Sequence, residues 1–318
     1  MQQFIVVADL IDAEAFAHIG VKIDHISHGL APTISGFPGR LASSDGASLQ
    51  IHINISTIIR YSGPCNRRRA LEPTGSAKPL VTFLPAGDTG LVVEFGDAID
   101  PTINEQVMDL DAAIRAEPPE GVVETVPTFR SVLIHFDPLR TSAESLSESV
   151  RALIGSRSAR TMKSRHWKVP VCYEAEHAPD LHDVAERSGL TPDDVVAMHS
   201  GRAYRVYMIG FVPGYPYMGD LDERLVLPRR EDPRTRVPVG AVAIATSLTA
   251  IYPVESPGGW HLIGATPIRL FDPGDTPPAL FSPGDKVSFQ PVDSRRFERI
   301  RDEAAKGIYT PEYQEIAS

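Results

Sequence analysis

Cysteine is almost absent: 318 residues contain two, Cys65 and Cys172, and neither lies in a C-x-x-C pair. A disulfide framework and a thiolate zinc site are thereby excluded, and both thiols are expected to be reduced and structural. Long apolar runs are missing as well. No stretch approaches the roughly 18 uninterrupted apolar residues of a spanning helix, and Met1-Gln2-Gln3-Phe4 lacks the basic start of a secretory signal. The expectation is a cytoplasmic protein with no membrane partner. Positive charge is in deficit, with 31 basic against 41 acidic residues and a net charge of -10. Nucleic acid is therefore not expected as a ligand, because phosphate binding needs a cationic face. The sequence also lacks G-x-x-x-x-G-K-[ST], a strand-led G-x-G-x-x-G, H-E-x-x-H and G-x-S-x-G. ATP, if used, is not held by a P-loop or a Rossmann turn, and no metal site is expected. His177 and His182 near Glu174 and Glu176 do not change this, because their spacing matches no metal-binding helix.

What is present is ordinary globular material, 42% hydrophobic and 23% charged, in a chain longer than one average domain. Proline is the outlier: 17 of the 28 fall from Ser164 onward, too dense for helices and tolerable in a loop-rich β architecture. Residues 1–79 read differently, with four of the ten histidines, a Gly/Ser-rich middle and the cluster Arg67-Arg68-Arg69. Three readings stay open for them: a disordered extension, a start placed too far upstream, or an accessory element.

From Val81 the pattern sharpens. A strand at Leu91-Val92-Val93-Glu94-Phe95 is followed by Asp100-Pro101, a helix cap with proline at the first position. Ile103, Val107, Leu110 and Ile114 then give one apolar helical face. Strands at Val122 to Val126 and Ser131 to Phe136 have hairpin spacing, and Thr141 with Glu144 reads as a capping box for a helix bearing Leu146 and Val150. A strand at Trp167 to Val171 would complete the β-α-β-β-α-β order of a split βαβ unit. This predicts an α+β fold, with a small ferredoxin-like domain over residues 80–163. Two short helices follow, around Leu181 to Arg187 and from Thr191-Pro192, and then many short strands: 202–209, 242–245, 251–252, 261–263, 268–271 and 286–289. Such a series predicts a closed or nearly closed β-barrel over residues 164–300, with 301–318 as a tail.

Three stretches carry possible chemistry. Gly210-Phe211-Val212-Pro213-Gly214-Tyr215-Pro216-Tyr217-Met218-Gly219 has the composition of a rigid loop. It either lines a pocket or closes the barrel with its aromatics in the core. In Pro228-Arg229-Arg230-Glu231-Asp232-Pro233-Arg234-Thr235-Arg236-Val237-Pro238, four arginines stand between prolines. They either clamp a carboxylate or phosphate, or pair internally with Glu231 and Asp232. The third, Tyr252-Pro253-Val254-Glu255-Ser256-Pro257-Gly258-Gly259-Trp260-His261, is not a serine hydrolase site, because Pro257 has no N–H for an oxyanion hole. Glu255 reads either as a general base or as a turn acid.

In this order, and with Gly87-Asp88-Thr89-Gly90-Leu91-Val92-Val93-Glu94-Phe95-Gly96 before them, these stretches resemble the family of the 5-oxoprolinase B-subunit, also described as allophanate hydrolase subunit 1. That family includes the Kip-type inhibitors of a sporulation histidine kinase. The likeness runs from about Phe83 to Val292 and implies a small α/β domain followed by a cyclophilin-like β-barrel. It implies ATP-dependent opening of 5-oxoproline to glutamate, with ATP as co-substrate beside a possible divalent metal. Its implied partners are the 5-oxoprolinase C-subunit, a related barrel protein, and the A-subunit, a lactam-utilisation-type protein. For that chemistry the residue types point to Glu255 as the catalytic carboxylate and to Arg229 and Arg234 as anion clamps. Tyr215 and Tyr252 would line the same pocket, with the Gly258 and Gly259 backbone close to the ligand. One departure is visible: where the family typically has Gly-Gly-Gln-Thr-Gly, this chain has Thr246-Ser247-Leu248-Thr249-Ala250. The alternative implied by the resemblance is a regulator that docks on a histidine kinase through Phe211, Val212, Tyr215 and Tyr217. Membership of a urea-degrading carboxylase or allophanate hydrolase system is a further alternative, although an amidase nucleophile stretch and a biotin-carrier Ala-Met-Lys-Met are absent.

Overall fold

A four-stranded antiparallel sheet comes first among the described residues, built from β1 (Thr82–Pro85), β2 (Gly90–Glu94), β3 (Val122–Pro127) and β4 (Ser131–Phe136) in the order β1-β2-β4-β3. The structure is a computed structural model and describes residues 81–155 and 164–316. The readings made for residues 1–79, and all of the 156–164 linker except Ser164, lie outside the described residues. Helix α1 (Pro101–Ala116) begins where the sequence places it, with the Asp100 carboxylate accepting from the Thr102 and Ile103 amides. Helix α2 (Ala143–Leu153) is capped by Ser142, which accepts from the Ser145 amide, one residue beyond the expected Thr141. Both helices pack on one face of the sheet. Val107, Leu110 and Ile114 of α1 and Leu146 and Val150 of α2 close over Leu91, Val93, Val132 and Ile134.

The strand expected to complete this sheet does not join it. Residues 164–172 form β5 (Ser164–Cys172) of the second sheet, and β1 takes the edge beside β2 instead. The physical reason lies in β5 itself, whose residues from Trp167 to Cys172 are all buried except Lys168, a run that needs cover on both faces.

The second sheet closes on itself. Its strands are β6 (Ala203–Ile209), β7 (Pro216–Gly219), β9 (Ala241–Ala245), β10 (Leu248–Ile251), β12 (His261–Ala265) and β13 (Lys286–Val292), joined with β5 in the order β12-β9-β10-β7-β6-β13-β5. The Ala265–Cys172 pairing between β12 and β5 completes a seven-stranded barrel. Beside it runs a two-stranded ribbon of β8 (Arg234–Val237) and β11 (Ser256–Gly258). Residues 268–271, expected as a strand, supply a single bridge, Phe271 to Ala279. Helices α3 (Leu181–Ser188) and α4 (Pro192–Ser200) cap the barrel core with Leu181, Val184 and Val195. Residues beyond 293 fold as helix α5 (Ser294–Ala305) and strand β14 (Glu312–Ile316), the latter paired with β5, so the stretch expected as a tail from 301 holds regular structure.

Strand β9 shows how two cores arise from one strand. All five of its residues are buried; Val242 and Ile244 face the barrel interior, while Ala241, Ala243 and Ala245 face a second cluster rich in tyrosine and tryptophan. Alanine leaves room there for large rings. A bulge in the β6–β7 pairing between Val206 and Met208 breaks the alternation expected for β6, so Met208 joins Tyr207 in the second cluster and not Tyr204 and Val206 in the first. Inside the barrel His199 is fully buried and stacks on Phe289 at 4.6 Å.

Candidate functional site

The second cluster is an aromatic corner that draws on the β3–β4 connection and on most of the barrel strands from β6 to β12. The β3–β4 connection inserts Phe129 against Tyr207 and Tyr217, with ring centroids 5.8 and 5.7 Å apart. Asn104 of α1 fixes that insertion: its amide donates to the carbonyls of Thr128, Phe129 and Tyr207 at 3.1 to 3.3 Å. Around Tyr215 stand Tyr252 at 5.1 Å and Trp260 at 6.2 Å, both edge-on. Arg229 lies with its guanidinium 5.9 Å from the Trp260 ring. Burial, the largest influence, pushes the Tyr217 and Tyr252 phenols up to about 12 and Tyr215 well above the usual range, against the opposing pull of Arg229. All three are O–H donors at neutral pH.

Gly258 belongs to the same corner. A Cβ placed there would stand 2.2 Å from the Tyr252 hydroxyl, so only glycine admits the ring. Gly258 also pairs across the ribbon with Arg234. Gly259 accepts a backbone hydrogen bond from Arg230 at 2.8 Å, and a Cβ on it would make ordinary contacts at 3.7 Å. The fold thus gathers Arg229, Arg234, Tyr215, Tyr252, Gly258 and Gly259, residues spread over 45 positions of sequence. Glu255 lies apart in its environment: it pairs with Arg236 at 2.6 Å with both side chains well exposed, 47% and 77%.

The arginine loop does not fold onto its own acids. Arg230 and Arg234 both bond Asp180, which precedes α3; Arg230 Nη1 and Arg234 Nη2 meet its Oδ1 at 3.0 and 2.7 Å. Asp180 Oδ2 accepts from the Leu262 amide at 2.7 Å, and its own amide donates to the Leu262 carbonyl at 2.9 Å. Its side chain is 5% exposed. Sequence reasoning missed Asp180, Arg230 and Trp260 as parts of this site. The signal for Asp180 is faint, since a lone aspartate before a helix is normally a cap, and here it makes no side-chain cap bond.

The Thr246-Ser247 pair forms the two-residue turn between β9 and β10, with Ala245 opposite Leu248. Thr246 carries a φ of +52°, in the left-handed region that favours glycine. Leu248, nearly buried, adds an apolar side chain to the aromatic cluster. Phe211, Val212 and Tyr217, expected to dock a kinase, are half-buried against that cluster, and Tyr215 is fully buried. Near the β5 end, Ser294 Oγ donates to Glu176 at 2.7 Å and also bonds Glu174, and His177 lies 3.3 Å from Glu176. Among the described residues no group of three or more His, Cys, Asp or Glu is placed to hold a metal ion, and no helix is long and apolar enough to cross a membrane.

The chain is 35% identical over 229 residues to the 5-oxoprolinase B-subunit of Bacillus subtilis (strain 168), covering 69% of this chain and 95% of that protein. It is 37% identical to the B-subunit from Escherichia coli O157:H7, covering 64% and 93%. Among solved structures, that of TTHA0988 superposes with a TM-score of 0.58 at 36% identity, and the match spans 64% of this chain and 40% of that one. The Kluyveromyces lactis urea carboxylase superposes with a TM-score of 0.64 at 26% identity, over 78% of this chain and 25% of that one. Residues 81–281, which hold the first sheet, the barrel strands up to β12 and the whole aromatic corner, match the model of the carboxyltransferase domain, subdomain C and D, and the chain belongs to that family.

Proposed function

We propose that this chain is one component of an ATP-dependent 5-oxoprolinase complex acting in the cytoplasm. The observation that carries the reading is the convergence of Arg229, Arg234, Tyr215, Tyr252 and Gly258 in one corner of the barrel. Similarity to two proteins named as the B-subunit of 5-oxoprolinase supports it. In that reaction water adds across the lactam C–N bond: oxygen ends on the carbonyl carbon and hydrogen on the ring nitrogen, giving glutamate, while ATP is hydrolysed to ADP and phosphate. The substrate carboxylate, the polarised lactam oxygen and the phosphoryl group are all anionic or electron-rich. A protein serving this chemistry offers cations and O–H donors.

Arg229 and Arg234 hold the substrate carboxylate or a phosphoryl oxygen. Tyr215 and Tyr252, kept protonated by burial, donate hydrogen bonds and do not abstract protons. Glu255 is the carboxylate that orients water, and its exposed side chain is compatible with a role at a face shared with a partner protein. The partners are the related barrel protein and the lactam-utilisation-type protein of the same complex; ATP, with a divalent metal, enters as co-substrate.

The test is co-expression of the full chain with the organism's own candidate partners, followed by glutamate release from 5-oxoproline and ATP with each component omitted in turn. Release that requires this chain and falls at least tenfold in Arg234→Ala is expected. A stable complex that never releases glutamate overturns the reading.

A further inference from the structure

Two guanidinium groups share one buried carboxylate in this fold, and the charge does not close. Arg230 and Arg234 contribute two positive charges against the single negative charge of Asp180. The other acids nearby do not complete the balance. Glu231 and Asp232 are exposed in the loop between the two arginines, and Asp183 pairs with Arg187 at 3.0 Å. An uncompensated positive charge in a partly buried setting is costly unless an anion meets it.

The hydrogen-bond inventory points the same way. Each arginine spends one nitrogen on Asp180, and among the described residues Arg230 Nε and Arg234 Nη1 are buried atoms with no protein acceptor. Ser256 Oγ, on the strand paired with Arg234's own, is also buried and without a partner. Buried donors are rarely left unpaired in a native fold. Asp180 itself cannot swing to serve them, because Leu262 holds both its second carboxylate oxygen and its amide. The carboxylate is a fixed post that aims two forks.

We propose that Arg230 and Arg234, oriented by Asp180, form a receptor for an oxyanion, with Arg230 Nε and Arg234 Nη1 as the donors to it. This rests on the proposed function and deepens it: Arg230 joins Arg234 as a binding residue, and Asp180 is a positioning residue. The bound chemistry is a pair of anionic oxygens, supplied either by the carboxylate of a lactam acid or by a phosphoryl group.

The experiment is calorimetric titration of the full chain with three probes: 5-oxoproline, 2-pyrrolidinone (the same ring without the carboxylate) and inorganic phosphate. The variants are Arg230→Lys and Arg234→Lys, which keep the charge and lose the fork. For a carboxylate ligand, 5-oxoproline binds at least tenfold more tightly than 2-pyrrolidinone, and either variant erases that preference. If phosphate binds with the same sensitivity to both variants while 5-oxoproline does not bind, the source is phosphoryl and the receptor stands. Should a variant fail to fold, the wild-type melting temperature decides: it rises with 5-oxoproline or phosphate and not with 2-pyrrolidinone at equal concentration. Anion binding indifferent to both variants, or binding of neither anion by the wild type, overturns the receptor. A complex that lacks oxoprolinase activity while anion binding persists would sink the proposed reaction alone.

Discussion

Acidification from pH 8 to pH 5 should cost the folded chain about 2 kcal/mol through His199 alone. The ring is enclosed by the barrel core, and its hydrogen bonds fix its tautomer. Thr249 Oγ1 donates to the Ala243 carbonyl at 3.1 Å, so it accepts from His199 Nε2–H at 2.9 Å; Nδ1 is left to accept the Tyr173 hydroxyl at 2.8 Å. Burial pushes the imidazole from its ordinary value of 6.5 down to about 3. Between those two values the unfolded chain binds a proton that the folded chain refuses. Stability is therefore complete above 6.5 and falls as pH falls, by about 1.4 kcal/mol per unit well inside the window, which integrates to about 2 kcal/mol at pH 5. The assay is urea unfolding of the wild type and of His199→Gln at both pH values. The variant, which cannot titrate at this position, is less stable at pH 8 but loses about 2 kcal/mol less than the wild type on going to pH 5. His135, whose pKa burial also lowers, contributes equally to both proteins and cancels. An identical pH dependence in the two proteins would refute the argument.

Gly258→Ala should lower stability by about 1–3 kcal/mol, because its Cβ meets the Tyr252 hydroxyl, and Tyr252→Phe in the same chain should restore part of the loss; thermal unfolding of the two singles and the double measures the coupling. Thr246→Gly should raise the melting temperature, by relief of about 1 kcal/mol of left-handed strain at that turn, and a lowered midpoint would contradict this. Glu255→Gln should change stability by less than about 1 kcal/mol, since its ion pair with Arg236 is exposed, so any fall in glutamate release by the complex would report on chemistry and not on folding. Asp285→Ala should destabilise by about 3 kcal/mol or more, because the buried carboxylate accepts from the Arg165 and Ser282 amides and from the Trp167 indole; denaturant unfolding decides.

Local signals were strong enough to place most elements. The Asp100-Pro101 cap and the Thr191-Pro192 helix start are short-range chemistry, and each stands where the residues put it. The glycine, proline and aromatic content of three separated stretches marked the residues of the candidate site. Other features were decided only in three dimensions. Whether β5 joins the first sheet or the barrel depends on which partner can cover both of its faces, and no periodicity in its own residues states that. The bulge that turns Met208 outward is a property of the β6–β7 pairing, invisible in either strand alone. Arg230 and Arg234 had acidic neighbours one to three positions away, and sequence proximity favoured those as partners. The fold chose Asp180, 50 and 54 residues upstream, because a carboxylate fixed by Leu262 and removed from water attracts a guanidinium more strongly than a hydrated one in the same loop.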